Sequence, residues 1–384
     1  MHFAVVGALG PTDHNPHGWW LHFWIATGGS AVGFFFILSG FVLAHTYAAD
    51  FAPPHEATHQ HARNLTAGKS RYRRFWHARV IRIYPSYLLA LVLTTGSALW
   101  LGSQGSAPWS ECTLAACGPA WIVSAVPLQA WIPSTSIQQL WNAPGWSIAA
   151  EAFFYLVFPF LVSPIVNFTR RWRWGAIALV WGMQNLAFAA LTYAITLPAD
   201  TAVQEGMRLW LERLPLLRLP EFALGVVAWT LWDSSRHTQP GRFRSPWLFW
   251  LLVLTLCALW YLPVASGPAW LKVLSSGKAY SLAPPLFALL IMHLASATHG
   301  TGHWGSRVLS CRPVLLLGES SYALYLLHWA VLQSLFAAFR SQGGPPLWAG
   351  YGAMVCAIAL SVLVHLAFER PIRHYFRRSS HDAR

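Results

Sequence analysis

"GWSIAAEAFFYLVFPFL", Gly145 to Leu161, is an apolar and aromatic run long enough to cross most of a bilayer, and it contains one carboxylate, Glu151. The rest of the chain has the composition of a protein that lives in lipid. Of its 384 residues, 55% are hydrophobic and only 10% are charged, and mean hydropathy is positive at +0.41. A soluble globular chain carries about 25% charge, so the composition predicts an all-α, polytopic transmembrane helix bundle. The net charge of +13 does not point to nucleic acid, because the basic residues fall between long apolar segments instead of on one soluble surface.

Working outward from Glu151, runs of about 20 apolar residues, the length a ~30 Å hydrocarbon core requires, occur near 31–49, 83–103, 146–168, 175–196, 215–232, 246–264, 279–297, 313–337 and 349–369. With an apolar fragment at 1–9 this predicts about ten spans, the first incomplete. The segments 50–82, 169–174, 233–245, 298–312 and 370–384 hold 20 of the 26 Lys and Arg residues, and they are every second connection. The positive-inside rule places this set, and both termini, in the cytoplasm. "MHFAVVGALG" lacks the basic n-region and cleavage spacing of a signal peptide, and reads as the outer half of a helix whose beginning is absent. No repeat or long polar linker divides the chain, and the longest hydrophilic stretch, Asp50 to Arg82, reads as a cytoplasmic loop. None of the five cysteines has metal-ligand spacing. Cys112 and Cys117 share an outer loop in which they can pair or stay free, whereas Cys257, Cys311 and Cys356 read as packing residues.

A charge at the centre of a membrane helix costs about 2.5–3.5 kcal/mol on insertion scales, so a polar residue inside a span implies a partner or a wet cavity. Ser147, Glu151 and Tyr155 lie at i, i+4 and i+8 and share one face, which serves either as a clamp to a neighbouring helix or as a functional surface. In "LGESSYALYLLHWAVL", Leu317 to Leu332, Ser321, Tyr325 and His328 form a second polar stripe, open to the same two readings. His45, His293 and His365 lie nearer the cytoplasmic ends of their spans and read as packing residues.

The approach to the 83–103 span, "RYRRFWHARVIRIYPSYLLA", brings Arg74, Arg79 and Arg82 to the cytoplasmic surface just before a proline-containing helix start. They serve either as an ordinary lipid-facing anchor or as a phosphate site, for which paired guanidinium forks are well shaped. His55, His59 and His61 in "HEATHQHAR" have helical metal-binding spacing but sit in loop-like sequence, so no metal is expected.

Taken in order, "GFFFILSGFVL" (33–43), "RVIRIYPSY" (79–87), "WSIAAEAFFYLVFP" (146–159), "LGESSYALYLLH" (317–328) and "FERPIR" (368–373) make the chain resemble the integral-membrane acyltransferase family 3, over essentially its whole length. The resemblance implies one transmembrane acyltransferase domain over 1–373, a basic cytoplasmic tail at 374–384, and no appended soluble esterase-like domain. It also implies a multi-pass enzyme of the bacterial inner membrane that moves an acyl group, commonly acetyl, from acyl-CoA to a hydroxyl of a surface glycan or lipid-linked saccharide. Acetyl-CoA would be a substrate, with no permanently bound cofactor. The partners implied are membrane lipids, the acceptor and a separate periplasmic protein, and no nucleic acid.

The family's inward-facing His on its first span corresponds to His2, although the Arg about ten residues before it has no counterpart here. The true start is therefore expected further upstream. The resemblance makes His2 and Glu151 the catalytic candidates and gives Arg74, Arg79 and Arg82 the donor phosphates. Ser39, Trp146, Ser147, Tyr155, Ser321, Tyr325 and His328 would line the substrate channel. A proton-coupled transporter or flippase of a glycan or lipid intermediate is the alternative, because intramembrane acids also mark proton relays.

Overall fold

The computed structural model describes residues 28–51, 65–106, 109–172, 174–195, 201–238, 245–261, 282–296, 308–339, 342 and 345–382, and these contain helices and turns but no strand. His2 and the His55, His59 and His61 group lie outside the described residues. The helices are α1 (Gly28–Phe51), α2 (Leu65–Ser103), α3 (Leu114–Ala125), α4 (Thr135–Gln139), α5 (Gly145–Trp172), α6 (Trp174–Ile195) and α7 (Thr201–Arg213). They continue as α8 (Pro215–Thr238), α9 (Pro246–Tyr261), α10 (Ala283–Ser296), α11 (Arg312–Ala338), α12 (Leu347–Val364) and α13 (Arg370–Asp382). Six helices among the described residues are long and apolar enough to cross a membrane, and shorter apolar helices accompany them. The expected all-α polytopic architecture is therefore present.

Three elements differ in extent from the sequence reading. The helix expected to begin near residue 83, with Pro85 in its first turn, begins at Leu65, and Pro85 lies inside it. Its second half carries the apolar residues, while the first half extends the basic segment as the same helix; the supposed loop before residue 83 is thus helical from Leu65. Proline tolerates this position although it contributes no N–H to the ladder. The expected outer loop is also built up, with α3 capped by Thr113, whose hydroxyl accepts from Ala116 N, and α4 capped by Ser134. At the other end of the chain, a π-helical turn, His365–Glu369, joins α12 to α13, so most of the basic tail is helix.

The fold resolves into two compact units. One comprises Thr27–Arg73 and Phe153–Val308. Its core packs Ile37 and Phe41 of α1 with Leu224 and Val227 of α8 and Phe287 and Met292 of α10. The backbones of α1 and α8 nearly touch: a Cβ on Gly40 would collide with the Phe222 carbonyl, and one on Gly225 with the Ile37 carbonyl. Small residues at a crossing let membrane helices gain packing that lipid cannot supply.

Among the described residues, the other unit comprises Arg74–Ala152 and Leu309–Arg384. Here Leu91, Ala98 and Leu101 of α2 pack with Trp109, Ala120 and Trp141, and Cys112 and Cys117 are joined in a disulfide against this cluster. The other three cysteines are exposed instead of packed in the interior. A thiol behaves as a small apolar group, so lipid-facing helix surfaces accommodate it.

Candidate active site

The helix that carries Glu151 begins at a turn, "WNAPG", in which every residue from Trp141 to Ala150 is buried. Gly145 N donates to Asn142 O at 2.9 Å and Ser147 N to Pro144 O at 3.2 Å, closing the first turn of α5. Two side chains then converge on the same carbonyl. Ser147 Oγ donates to Pro144 O at 3.1 Å, and Tyr325 Oη, from α11, donates to it at 3.1 Å.

The Tyr325 and His328 rings lie 5.8 Å apart. His328 Nδ1 faces the Leu324 carbonyl at 3.3 Å; a carbonyl only accepts, so Nδ1 carries a proton. Two polar stripes that are far apart in sequence thus meet in one place.

Glu151 sits one turn further along α5 on the Ser147 face and is partly exposed, Trp146 is buried beside Ser147, and Tyr155 is buried a turn beyond Glu151. Ser321 does not reach the Pro144 turn, because its hydroxyl donates to Gly318 O of its own helix at 2.7 Å. Ser39 lies half-buried on α1. Arg74, Arg79 and Arg82 share one continuous helix, with Arg74 and Arg82 exposed and Arg79 half-buried. One residue beyond Arg82, Tyr322 Oη of α11 donates to Ile83 O at 2.8 Å, which fixes α11 against α2.

The structure also reveals groups that the sequence reading passed over. Arg218 and Glu221 are 3% and 0% exposed and pair at 2.9 Å within α8, with Gln184 Nε2 donating to the same Glu221 oxygen at 3.3 Å. Arg218 Nε also donates to the Glu212 carbonyl at 2.6 Å. A Cβ on Gly33 would lie 3.5 Å from the carboxylate oxygens, so the "GFFFILSGF" landmark rests on this group. The signal was available in "RLPE": two opposite charges three residues apart inside an expected span imply an intrahelical pair.

At the π-helical turn, His365 Nδ1 lies 3.0 Å from Glu369 Oε2 and Nε2 lies 3.4 Å from Glu319 Oε2, so this histidine links α11 to the end of α12. Among the described residues, no group of three or more His, Cys, Asp or Glu side chains is arranged to hold a metal ion.

The profile of the family described as "Acyltransferase domain" matches residues 1–366. The chain belongs to this family. Its relatives include "Acyltransferase MdmB" of Streptomyces mycarofaciens, 28% identical over 365 residues that make up 90% of this chain and 80% of that protein. "Putative O-acetyltransferase SACOL0978" of Staphylococcus aureus (strain COL) is 22% identical over 358 residues, 91% of this chain and 53% of the relative. The chain therefore spans about half the length of that staphylococcal relative. No solved structure matches it. As a member of the acyltransferase family, the chain is a membrane enzyme that transfers acyl groups.

Proposed function

We propose that this acyltransferase takes an acyl group, acetyl in the first instance, from cytoplasmic acyl-CoA and places it on a hydroxyl of a cell-surface carbohydrate or related acceptor in the bacterial inner membrane, with both termini cytoplasmic. The observation that carries this reading is the meeting of Ser147 and Tyr325 at the Pro144 carbonyl, one helical turn from the intramembrane Glu151. A helix clamp needs only one such contact. Two polar stripes joined beside an acid make a surface that can hold a polar substrate inside lipid, where an unsatisfied polar group is costly. The O-acetyltransferase naming of the staphylococcal relative favours a hydroxyl acceptor and acetyl as the group moved.

In this mechanism His2 accepts the proton of the acceptor hydroxyl, or carries the acyl group transiently. Imidazole suits both roles because its ordinary pKa lies near neutrality. Glu151 orients the ring and balances its positive charge. The hydroxyl oxygen attacks the thioester carbonyl carbon, a C–O ester bond forms, the C–S bond breaks, and the proton ends on the CoA thiol. Arg79 and Arg82, with Arg74 near them, hold the donor phosphates through their guanidinium forks. Tyr325, His328, Ser147, Trp146, Tyr155, Ser39 and Ser321 line the path of acyl group and acceptor. Membrane lipids surround the bundle, and a periplasmic partner protein delivers or receives the acceptor.

The test is thiol release and label transfer from acetyl-CoA by the purified full chain in lipid nanodiscs, supplied with glycan acceptors. Glu151→Gln and His2→Ala are expected to lower transfer by at least about a hundredfold, the usual scale for losing a general base or its partner, with unchanged membrane insertion. Transfer near the wild-type rate by either variant removes that residue from the chemistry.

A further inference from the structure

Two carboxamides before α5, Gln129 in a short 3-10 turn (Gln129–Trp131) and Asn142 in the turn leading into the helix, have orientations dictated by their neighbours. Tyr87 Oη donates to Ser124 O at 2.6 Å, so its proton is committed, and it receives Gln129 Nε2 at 3.1 Å. Asn142 Nδ2 donates to Leu326 O at 3.3 Å. Neither amide can be turned round, because each NH2 group faces an oxygen that has only a lone pair to offer. The carbonyl ends, Gln129 Oε1 and Asn142 Oδ1, are therefore fixed in place.

Both side chains are buried, at 1% and 4% exposure, and neither carbonyl oxygen has a hydrogen-bond partner among the described residues. Gly145 lets Gln129 come this close: a Cβ there would stand 2.8 Å from Gln129 Nε2. A third amide, Gln333, is 3% exposed with both polar atoms unmatched. It lies seven residues beyond Leu326 on α11, hence on the same face. It also precedes Ala337, which packs against the cluster containing Trp141.

We propose that this turn is the acceptor-hydroxyl subsite: Gln129 Oε1 and Asn142 Oδ1 accept hydrogen bonds from hydroxyl groups of a neutral carbohydrate and hold one of them toward the Ser147–Glu151 face of α5. The inference rests on the acyl-transfer reading and adds the residues that hold the acceptor and its uncharged character. Gln129 and Asn142 each give an amide N–H to a protein oxygen, and Tyr325 Oη is committed to Pro144 O. Gln129 Oε1 and Asn142 Oδ1 themselves only accept, so these two atoms take ligands that bring protons. A sugar hydroxyl does so; the charged oxygens of a phosphate, sulfate or uronate bring only lone pairs and are repelled there. Gln333 has both a donor and an acceptor to offer, which suits a hydroxyl that gives one hydrogen bond and receives another.

The experiment uses the full chain in nanodiscs with radiolabelled acetyl-CoA and two probe series, neutral methyl glycosides and the matching methyl glycosiduronates. The wild type is expected to acetylate neutral glycosides with the lower KM. Asn142→Leu and the near-isosteric Gln129→Met should each raise the glycoside KM roughly tenfold, the scale of one buried hydrogen bond, while the KM for acetyl-CoA stays within about twofold. An unchanged glycoside KM in folded variants overturns the proposal and leaves these amides holding water, and a preference for the uronates overturns it as well. Should the wild type transfer to no probe, the acyl-transfer reading to sugars fails. The subsite is then judged by calorimetric binding of the neutral glycosides alone: weakening in Gln129→Met supports it, and absence of binding to the wild type overturns it. If Asn142→Leu does not fold, Gln129→Met and Gln333→Leu carry the same comparison.

Discussion

Glu221 shows what one buried charge demands. Its carboxylate is wholly inside the unit built on α1 and α8, and Arg218 meets it at 2.9 Å with Gln184 beside it. Removing one partner of a buried pair leaves the other uncompensated, at a cost of about 3–5 kcal/mol. Arg218→Met is therefore expected to lower the thermal midpoint of the solubilised protein sharply. Arg218→Met combined with Glu221→Leu should recover most of the loss, because replacing both charges by apolar groups is close to neutral. Thermal aggregation of the single and double variants in detergent checks this, and a double variant no better than the single would show that the pair does more than satisfy itself. Glu151 contrasts with it, being partly exposed on its helix face. Glu221 is sealed in packing.

At the scale of elements, the α1–α8 crossing depends on two missing side chains. Because a Cβ at Gly40 or Gly225 would enter the opposite backbone, alanine at either position forces the helices apart and loses contacts along their whole length. Gly225→Ala is expected to destabilise by about 1–3 kcal/mol, the usual cost of overpacking, and to reduce the folded yield measured by size-exclusion chromatography in detergent. Gly96, with open space around its Cβ position, supplies the control: Gly96→Ala should leave the yield unchanged or raise it. The Trp-rich segment between α2 and α5 has a different fastening. The Cys112–Cys117 bond closes a loop with a sequence separation of five, and loop-closure entropy assigns such a short loop about 2 kcal/mol. Reductant should lower the melting temperature of the wild type but not of the Cys112→Ser/Cys117→Ser variant; an equal response in both would remove the disulfide from the stability of this segment.

For the whole molecule, the alternation of basic connections predicts an orientation in the membrane. Each Lys or Arg held near the cytoplasmic face biases orientation without need of a tertiary contact. A C-terminal green fluorescent protein fusion is accordingly expected to fluoresce, and a C-terminal alkaline phosphatase fusion to be inactive; the reverse result would invert the topology and put the arginines of α2 on the side away from CoA.

Much of this was readable in the residues. Apolar length and charge spacing are local properties, so the all-α polytopic class and the helices around Gly145–Leu161 and Leu317–Leu332 followed from periodicity, and the acyltransferase family followed from five ordered landmarks. Helix ends were less legible. The span was read as starting near residue 83 because proline favours a first turn, but the residues upstream of Pro85 continue α2 from Leu65.

The site was legible in part. Ser147, Glu151, Tyr325 and His328 could be singled out by the cost of polarity in lipid. That Ser147 and Tyr325 share the Pro144 carbonyl, and that Gln129 and Asn142 keep buried oxygens without a protein partner among the described residues, could not, because the contacts that decide it join residues 37 to 184 positions apart and depend on which atom faces which. Sequence alone determined the solvent this protein lives in, its helices and its family, since each is set by hydropathy, charge spacing or ordered motifs along the chain. Only the tertiary structure decided which polar groups satisfy one another and which buried oxygens are left without a protein partner among the described residues, because hydrogen bonding is directional and is settled by packing.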